Sequence, residues 1–222
     1  MITVHHLENS RSQRVLWLLE LLELDYQVKR YKRDPKTNLA PKDLLKVSPL
    51  GKSPVIEVDG ITIYESGAIF EFLLDHYDSE FRLHPKRDSI HHKDHIFWLH
   101  FAEGSVMPPL VIKYLFTKTN EKVPFFMKPL TKLIFGAIDK AYLGKTLKGI
   151  FDFIEDKLKE SDYLLGKELS AADVMMSFPL EAAMSGRLSE KDYPNIKSFV
   201  EKIHKLESYK SAISKGGEYD FA

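Results

Sequence analysis

The chain has 222 residues, 44% apolar and 29% charged, and its 32 basic side chains are balanced by 32 acidic ones. Zero net charge gives bulk electrostatics no reason to draw in nucleic acid, no apolar run approaches a membrane span, and the N-terminus lacks a basic-then-apolar leader pattern, so a cytoplasmic protein of one compact unit or two small domains is expected. Cysteine is absent, which excludes disulfides, cysteine metal sites and a cysteine nucleophile. Residues 1–7 alternate weakly and read as a strand, and Asn9-Ser10-Arg11-Ser12 as a polar turn. A helix follows, with Val15, Leu18, Leu19 and Leu22 on its apolar face and Trp17 and Leu21 widening it. Tyr26 to Tyr31 predicts a second strand, and the charged stretch from Lys32 a connection with a short helix near Lys42–Lys46. After Pro54 come two β-branched runs, Val55–Val58 and Ile61–Tyr64, joined by Asp59-Gly60, a strong hairpin signal. At Ser66 the period becomes helical (Ile69, Phe70, Phe72, Leu73, Leu74), with Ser66 placed to cap the first turn.

The order βαβαββα is the thioredoxin-like pattern, a mixed sheet with helices on both faces. Residues 79–89 (SEFRLHPKRDS) read as a linker, and beyond them the pattern is entirely helical. The expected fold class is therefore α/β plus all-α, with domains at 1–78 and 90–222. Pro108-Pro109 should kink or interrupt the first helix of the second domain. His91 and His95 have metal-ligand spacing but no third ligand beside them, so no metal is expected. From Lys113 to Lys148 there are eight lysines against Glu121 and Asp139, net +6, interleaved with Phe125, Phe126, Met127, Leu130, Leu133, Ile134 and Phe135. Such a stretch can rest on an anionic membrane surface; the ordinary alternative, favoured at this level, is a helical hairpin with its apolar face in the core. Ser170-x-x-Asp173 is a capping box with Leu169 and Val174 as the flanking staple, a folding signal. Ile196, Phe199, Val200 and Ile203 mark one further helix, and the end is expected to fray from Gly216-Gly217.

Residues 48–77 carry the chemistry. A proline at a strand entrance cannot donate to the ladder, so Pro54 belongs at an edge or in a tight turn, and a cis peptide bond suits it. The residue beside it then presents backbone N–H and C=O groups to an extended peptide. Glu65-Ser66 opens a helix, where free N–H groups and the dipole favour a carboxylate. Together these features describe a site for a small peptide with an anionic end.

This arrangement resembles the glutathione-binding half of the glutathione S-transferase family. The resemblance implies glutathione as co-substrate. Ser53-Pro54-Val55 would pair with its cysteinyl backbone, with Val55 as the pairing residue, and Glu65-Ser66 would hold its γ-glutamyl end. Lys52 matches a position that binds the glycine carboxylate, a solvated loop lysine being the alternative. The further basic contact some branches place near 39 and 40 is missing, since Leu39 and Ala40 stand there, and Lys42 could substitute. The family keeps its thiolate-stabilising group, a tyrosine, serine or cysteine, in the turn before the first helix. Cysteine is absent and the first tyrosine is Tyr26, which leaves serine. Ser10, four residues before Arg14, fits the serine-type branches, with Ser12 as the alternative and a simple helix cap as the bland reading of Ser10. His5 and His6 lie near the tyrosine-type position, but finishing a strand is the commoner role.

Residues 98–109 resemble the fourth helix of fungal and bacterial transferases, which implies a pocket for a small hydrophobic electrophile lined by Phe101, Met107 and Tyr114, or else core packing for these three. The resemblance further implies a homodimer. The expected activity is conjugation of the glutathione thiolate to hydrophobic electrophiles; the alternatives are glutathione-dependent peroxide reduction at the same site and a non-catalytic binding protein.

Overall fold

The computed structural model describes residues 1–186 and 192–221. Its first half runs β1 (Ile2–Leu7), α1 (Ser12–Leu21), β2 (Tyr26–Tyr31), α2 (Lys42–Leu45), β3 (Val55–Val58), β4 (Ile61–Tyr64) and α3 (Ser66–Tyr77), the expected thioredoxin-like order. The sheet order is β2-β1-β3-β4. β1 and β2 are parallel, so they need a crossover, which α1 supplies; β3 runs antiparallel to both of its neighbours. Asp59 (φ 48°) and Gly60 (φ 85°) both adopt positive φ, as the tightest two-residue hairpin turn requires.

Every residue of α1 from Ser12 to Leu19 is buried, because the helix is covered by the sheet on one side and by helices of the second half on the other. One apolar cluster therefore runs through both halves, joining Val4, Ile56 and Phe70 to Leu99, Phe151 and Ile203. Trp17, fully buried, donates through Nε1 to Ser208 Oγ at 3.1 Å and meets the Tyr209 ring edge-on.

The second half is helical: α4 (His92–Phe101), α5 (Met107–Lys122), α6 (Lys128–Ile138), α7 (Gly144–Glu160), α8 (Ala171–Met184), α9 (Pro194–His204) and α10 (Glu207–Gly216). A wide π-type turn, Ala102–Val106, joins α4 to α5 and closes on the Met107 N–H to Ala102 carbonyl bond. Pro108 and Pro109 fall immediately after it, so the interruption expected there lies just upstream of the prolines, where the ordinary i to i−4 ladder could not have continued. α8 is the buried axis of this half. Its capping box is present: the Ser170 N–H and Oγ donate to Asp173 Oδ2 at 2.9 and 2.6 Å, and the Leu164 N–H donates to Asp173 Oδ1 at 2.8 Å. Burial raises the Asp173 carboxyl to about pKa 6 against these bonds.

The α5–α6 hairpin corrects the sequence reading. Its apolar face was expected in the core, yet α6 contains no buried residue, and Phe125 and Phe126 in the connecting turn are 84% and 69% exposed. Only the side toward α5 is held, by Phe116 stacked on Phe135 and by Thr131 Oγ1 donating to Asn120 Oδ1 at 2.7 Å.

His95 on α4 is buried among His84, His92, Arg87 and Asp75, and desolvation followed by repulsion from His84 and His92 lowers its pKa to about 4. An unfolded histidine titrates near 6.5, so between these values the unfolded chain binds the extra proton and folding loses stability as pH falls. Acidification from pH 6.5 to 4 should thus lower the thermal midpoint of the parent more than that of His95→Leu, as scanning calorimetry across that window will show. Asp173→Ala, which strands three donors, should cost about 2 kcal/mol or more in urea unfolding and leave the turnover of the folded fraction unchanged.

Candidate active site

Three loops meet at one end of the sheet, and the strand register dictates it. His5 of β1 stands opposite Val55 of β3, and Val55 opposite Tyr64 of β4. The chain leaving β1, the chain entering β3 and the chain leaving β4 therefore emerge together. They carry Ser10, the Ser53-Pro54 step and Glu65-Ser66.

The Ser53-Pro54 peptide is cis and Pro54 is buried. Ser53 Oγ donates to the His5 carbonyl at 2.8 Å and accepts the Leu7 N–H at 3.3 Å, which sews this loop to the end of β1. Val55 itself has a strand on each side, so its backbone has no open edge to offer an extended peptide. Beside Val55, the expected pairing residue, the Ser53 backbone makes no hydrogen bond among the described residues. Lys52 is exposed, held only through its backbone N–H to Ser48 Oγ at 3.0 Å, and Lys42 is exposed at the start of α2.

Glu65 has φ 68° and ψ 129°, a conformation that costs a non-glycine residue on the order of 1–3 kcal/mol and persists only where its surroundings impose it. The carboxylate is exposed and makes no ion pair among the described residues. The next residue, Ser66, is buried at the first turn of α3, and its Oγ accepts from Arg14 Nη2 at 3.0 Å.

In the β1–α1 turn, Asn9 is left-handed (φ 49°), a conformation asparagine tolerates well. Ser10 and Ser12 are bonded to each other, Oγ to Oγ at 2.8 Å, and Ser12 Oγ lies 2.9 Å from His6 Nδ1. Ser12 is completely enclosed whereas Ser10 keeps 6% exposure. The Ser12 N–H also donates to Ser10 Oγ at 3.3 Å, a bond within the turn, while Arg11 stands at the cap position of α1 with no side-chain cap bond. Burial, with a contribution from Arg30, brings the His6 pKa down to about 4, so the ring is neutral at physiological pH.

Sequence reasoning missed what holds this turn. Arg14, fully buried, donates from Nη1 to the Met175 carbonyl at 2.6 Å and pairs with Glu103 in the wide turn, and Arg11 reaches the other oxygen of Glu103 at 3.0 Å. Burial lowers the Arg14 pKa and the Glu103 carboxylate opposes that shift. Met175 lies four residues before Pro179 in α8, so its carbonyl has no helical N–H to accept and is open to the guanidinium. That proline in an apolar helix was the available signal. The tail beyond α10 does not fray as expected: Asn9 and Asp220 exchange two hydrogen bonds of 2.8 Å, and Tyr219 donates to the buried Glu181. Arg33 adds bonds to the Glu8 and Asn9 carbonyls.

The three pocket candidates separate. Tyr114 reaches from α5 to the loop after β2, its hydroxyl 3.5 Å from Asn38 Nδ2 and close to Arg33. Met107 is buried. Phe101 packs with Phe97, Trp98 and Phe153 in an aromatic cluster between α4 and α7, the packing role left open for it.

Residues 1–75 match the family model for the glutathione S-transferase N-terminal domain, and residues 119–207 that for the C-terminal domain. Glutathione S-transferase 1 of Saccharomyces cerevisiae is 38% identical over 97% of this chain and 95% of its own. The chain belongs to the glutathione S-transferase family. Glutathione S-transferase 3 of Schizosaccharomyces pombe is 36% identical over 90% of this transferase and 81% of its own length. Among solved structures, a glutathione S-transferase from Actinobacillus pleuropneumoniae superposes with a TM-score of 0.81 at 31% identity, covering 100% of this chain and 95% of that one.

In this transferase Glu103→Leu should lower unfolding stability by about 3 kcal/mol, because a buried guanidinium then lacks its carboxylate. Adding Arg14→Met should recover part of that loss, since no buried charge remains. Denaturant titration of the two variants checks both statements; a purely additive result would mean the pair is not coupled.

Proposed function

We propose that glutathione lies extended across the three loops with its sulfur at Ser10, and that the thiolate attacks small hydrophobic electrophiles held beside the helical half. The observation that carries this reading is the chain His6–Ser12–Ser10. A neutral His6 carrying its proton on Nδ1 donates to Ser12 Oγ, and Ser12 donates to Ser10 Oγ. Ser10 accepts the Ser12 N–H and, with the hydrogens ordered in this sense, the Ser12 hydroxyl as well, which leaves its own hydrogen for the sulfur. Such a chain polarises along its length. Ser12 is enclosed and already engaged, which favours Ser10 over Ser12.

The ends of the tripeptide follow from the same geometry. The γ-glutamyl carboxylate suits the free N–H groups at the start of α3, and Glu65, strained and unpaired, suits its ammonium group. The Ser53 backbone takes the cysteinyl amide and Lys52 the glycine carboxylate. Arg11, Arg14 and Arg33 surround the turn with positive charge. A free thiol ionises near pKa 8.5, and each unit of depression corresponds to about 1.4 kcal/mol. The thiolate lone pair then forms the C–S bond, and the leaving group departs with its electrons or, in an addition, the adduct takes a proton from water. No covalent enzyme intermediate is needed, only position and charge. Tyr114 and Met107 would face the electrophile. We infer likewise a division at residues 79–89, from the polar composition of that stretch, and a homodimer, implied by the family resemblance.

Ser10→Ala should cut kcat/KM for conjugation roughly 10- to 100-fold and move the thiol ionisation in the pH profile up by about one to two units. Calorimetric affinity for glutathione, measured below that ionisation, should change little. Equal activity in the variant would remove Ser10 from the mechanism. A parent that binds glutathione yet turns over neither electrophiles nor peroxides would be a binding protein.

A further inference from the structure

The α5–α6 hairpin is unexplained by the chemistry above. Phe125, Phe126, Leu130 and Leu133 are 84%, 69%, 54% and 71% exposed, and Met127 and Ile134 join them at the same end of the molecule. The turn that bears Phe125 and Phe126 packs on α6, and α6 packs on that turn, on α5 and on residues 139–143 that follow it, so this end stands off the body. Four lysines (Lys118, Lys122, Lys128 and Lys132) ring it against the single acid Glu121, a net charge of +3. Lys118 pairs with Glu121, while Lys122, Lys128 and Lys132 make no ion pair among the described residues.

We propose that this hairpin end docks on an anionic phospholipid surface, with the phenylalanines inserted at the headgroup boundary and the lysines against lipid phosphates and carboxylates. Charge decides between occupants. A second copy whose two-fold axis passed through this patch would set it against itself, +3 against +3, whereas an anionic bilayer complements both the apolar tip and its basic rim. No described helix is long and apolar enough to cross a membrane, so the protein would lie on the surface rather than span it. An apolar contact joined to a basic cluster is the two-part combination that gives stable surface attachment. Tyr114 lies on the same helix as Lys118, whose ammonium sits 5.9 Å from the Tyr114 ring centre, so docking would bring the rim of the proposed electrophile pocket near the phase where apolar electrophiles concentrate. The docking stands on the hairpin alone and does not require the conjugation chemistry.

The test is co-sedimentation of the full chain with vesicles of phosphatidylcholine alone and of equal parts phosphatidylcholine and phosphatidylserine. The parent should sediment with the mixed vesicles, weakly with the neutral ones, and less as salt is raised. Both the Phe125→Ser/Phe126→Ser and the Lys128→Glu/Lys132→Glu double variants should lower partitioning roughly tenfold or more, with circular dichroism and turnover of a water-soluble electrophile unchanged. Parent protein that stays in the supernatant with the mixed vesicles overturns the proposal, as do variants that bind as well as the parent. So does a phenylalanine variant whose light-scattering mass falls while vesicle binding persists, which would make this face a contact between copies.

Discussion

A guanidinium with no solvent around it organises this protein. Burying Arg14 is costly unless its donors find acceptors and its charge finds a partner. The acceptors come from widely separated parts of the chain: the Arg11 carbonyl on its own turn, Ser66 at the head of α3, Met175 in α8 and Glu103 between α4 and α5. Each acceptor depends on a local irregularity. The Met175 carbonyl is open because Pro179 lacks an N–H. Glu103 sits in a wide turn that precedes two prolines. The helix breakers in both elements therefore serve one interaction, which ties the sheet to the helical half at the point where the thiol would sit.

That tie also sets what can move. Ser66 receives Arg14 on its side chain, so the backbone N–H groups at the start of α3 are held while their ligand-facing side stays available. The β1–α1 turn is held from the opposite direction by Asp220, whose tail is anchored through Tyr219 on Glu181, a carboxylate that also accepts from Tyr209 at 2.7 Å. Both tyrosines have raised pKa values, from burial first and the neighbouring carboxylate second, so they remain donors. The candidate catalytic serine thus lies between two clamps contributed by the helical half, and the sheet half alone would not define its position.

Local signals in the sequence were dependable where the physics is local. Asp59-Gly60 needs two positive-φ residues and has them; Ser170 and Asp173 are three residues apart on one helical turn and bond as that spacing demands. The cis Ser53-Pro54 step and the helix start at Glu65-Ser66 were legible because each is a property of adjacent residues. The Arg14–Glu103 pair was not, since its members are 89 positions apart and each alone looks like a surface charge. That β3 carries a strand on each side of Val55 was not legible either, because strand propensity does not reveal whether a strand has one neighbour or two. The α5–α6 hairpin misled for a related reason: an apolar face at helical period is the same pattern whether a protein core or another phase covers it, and only the fold shows which neighbours are present.

The same distinction bears on how a serine, a weak acid in water, could hold a thiolate. One hydroxyl would contribute only part of a pKa unit if its hydrogen were free to rotate toward other acceptors. In the proposed chain rotation is limited, because Ser10 Oγ takes the N–H of Ser12 and shares a hydrogen bond with its hydroxyl, and Ser12 lies against a histidine that burial keeps neutral. A charged imidazole at that place would add field but would also titrate across the working range; a neutral one orients without titrating. The positive charge would come instead from arginines, above all Arg14, which is buried where water screens it least and is partly offset by Glu103. Under the proposed mechanism orientation and field would be supplied by different residues, the serine hydroxyl being aimed while the arginines supply the charge.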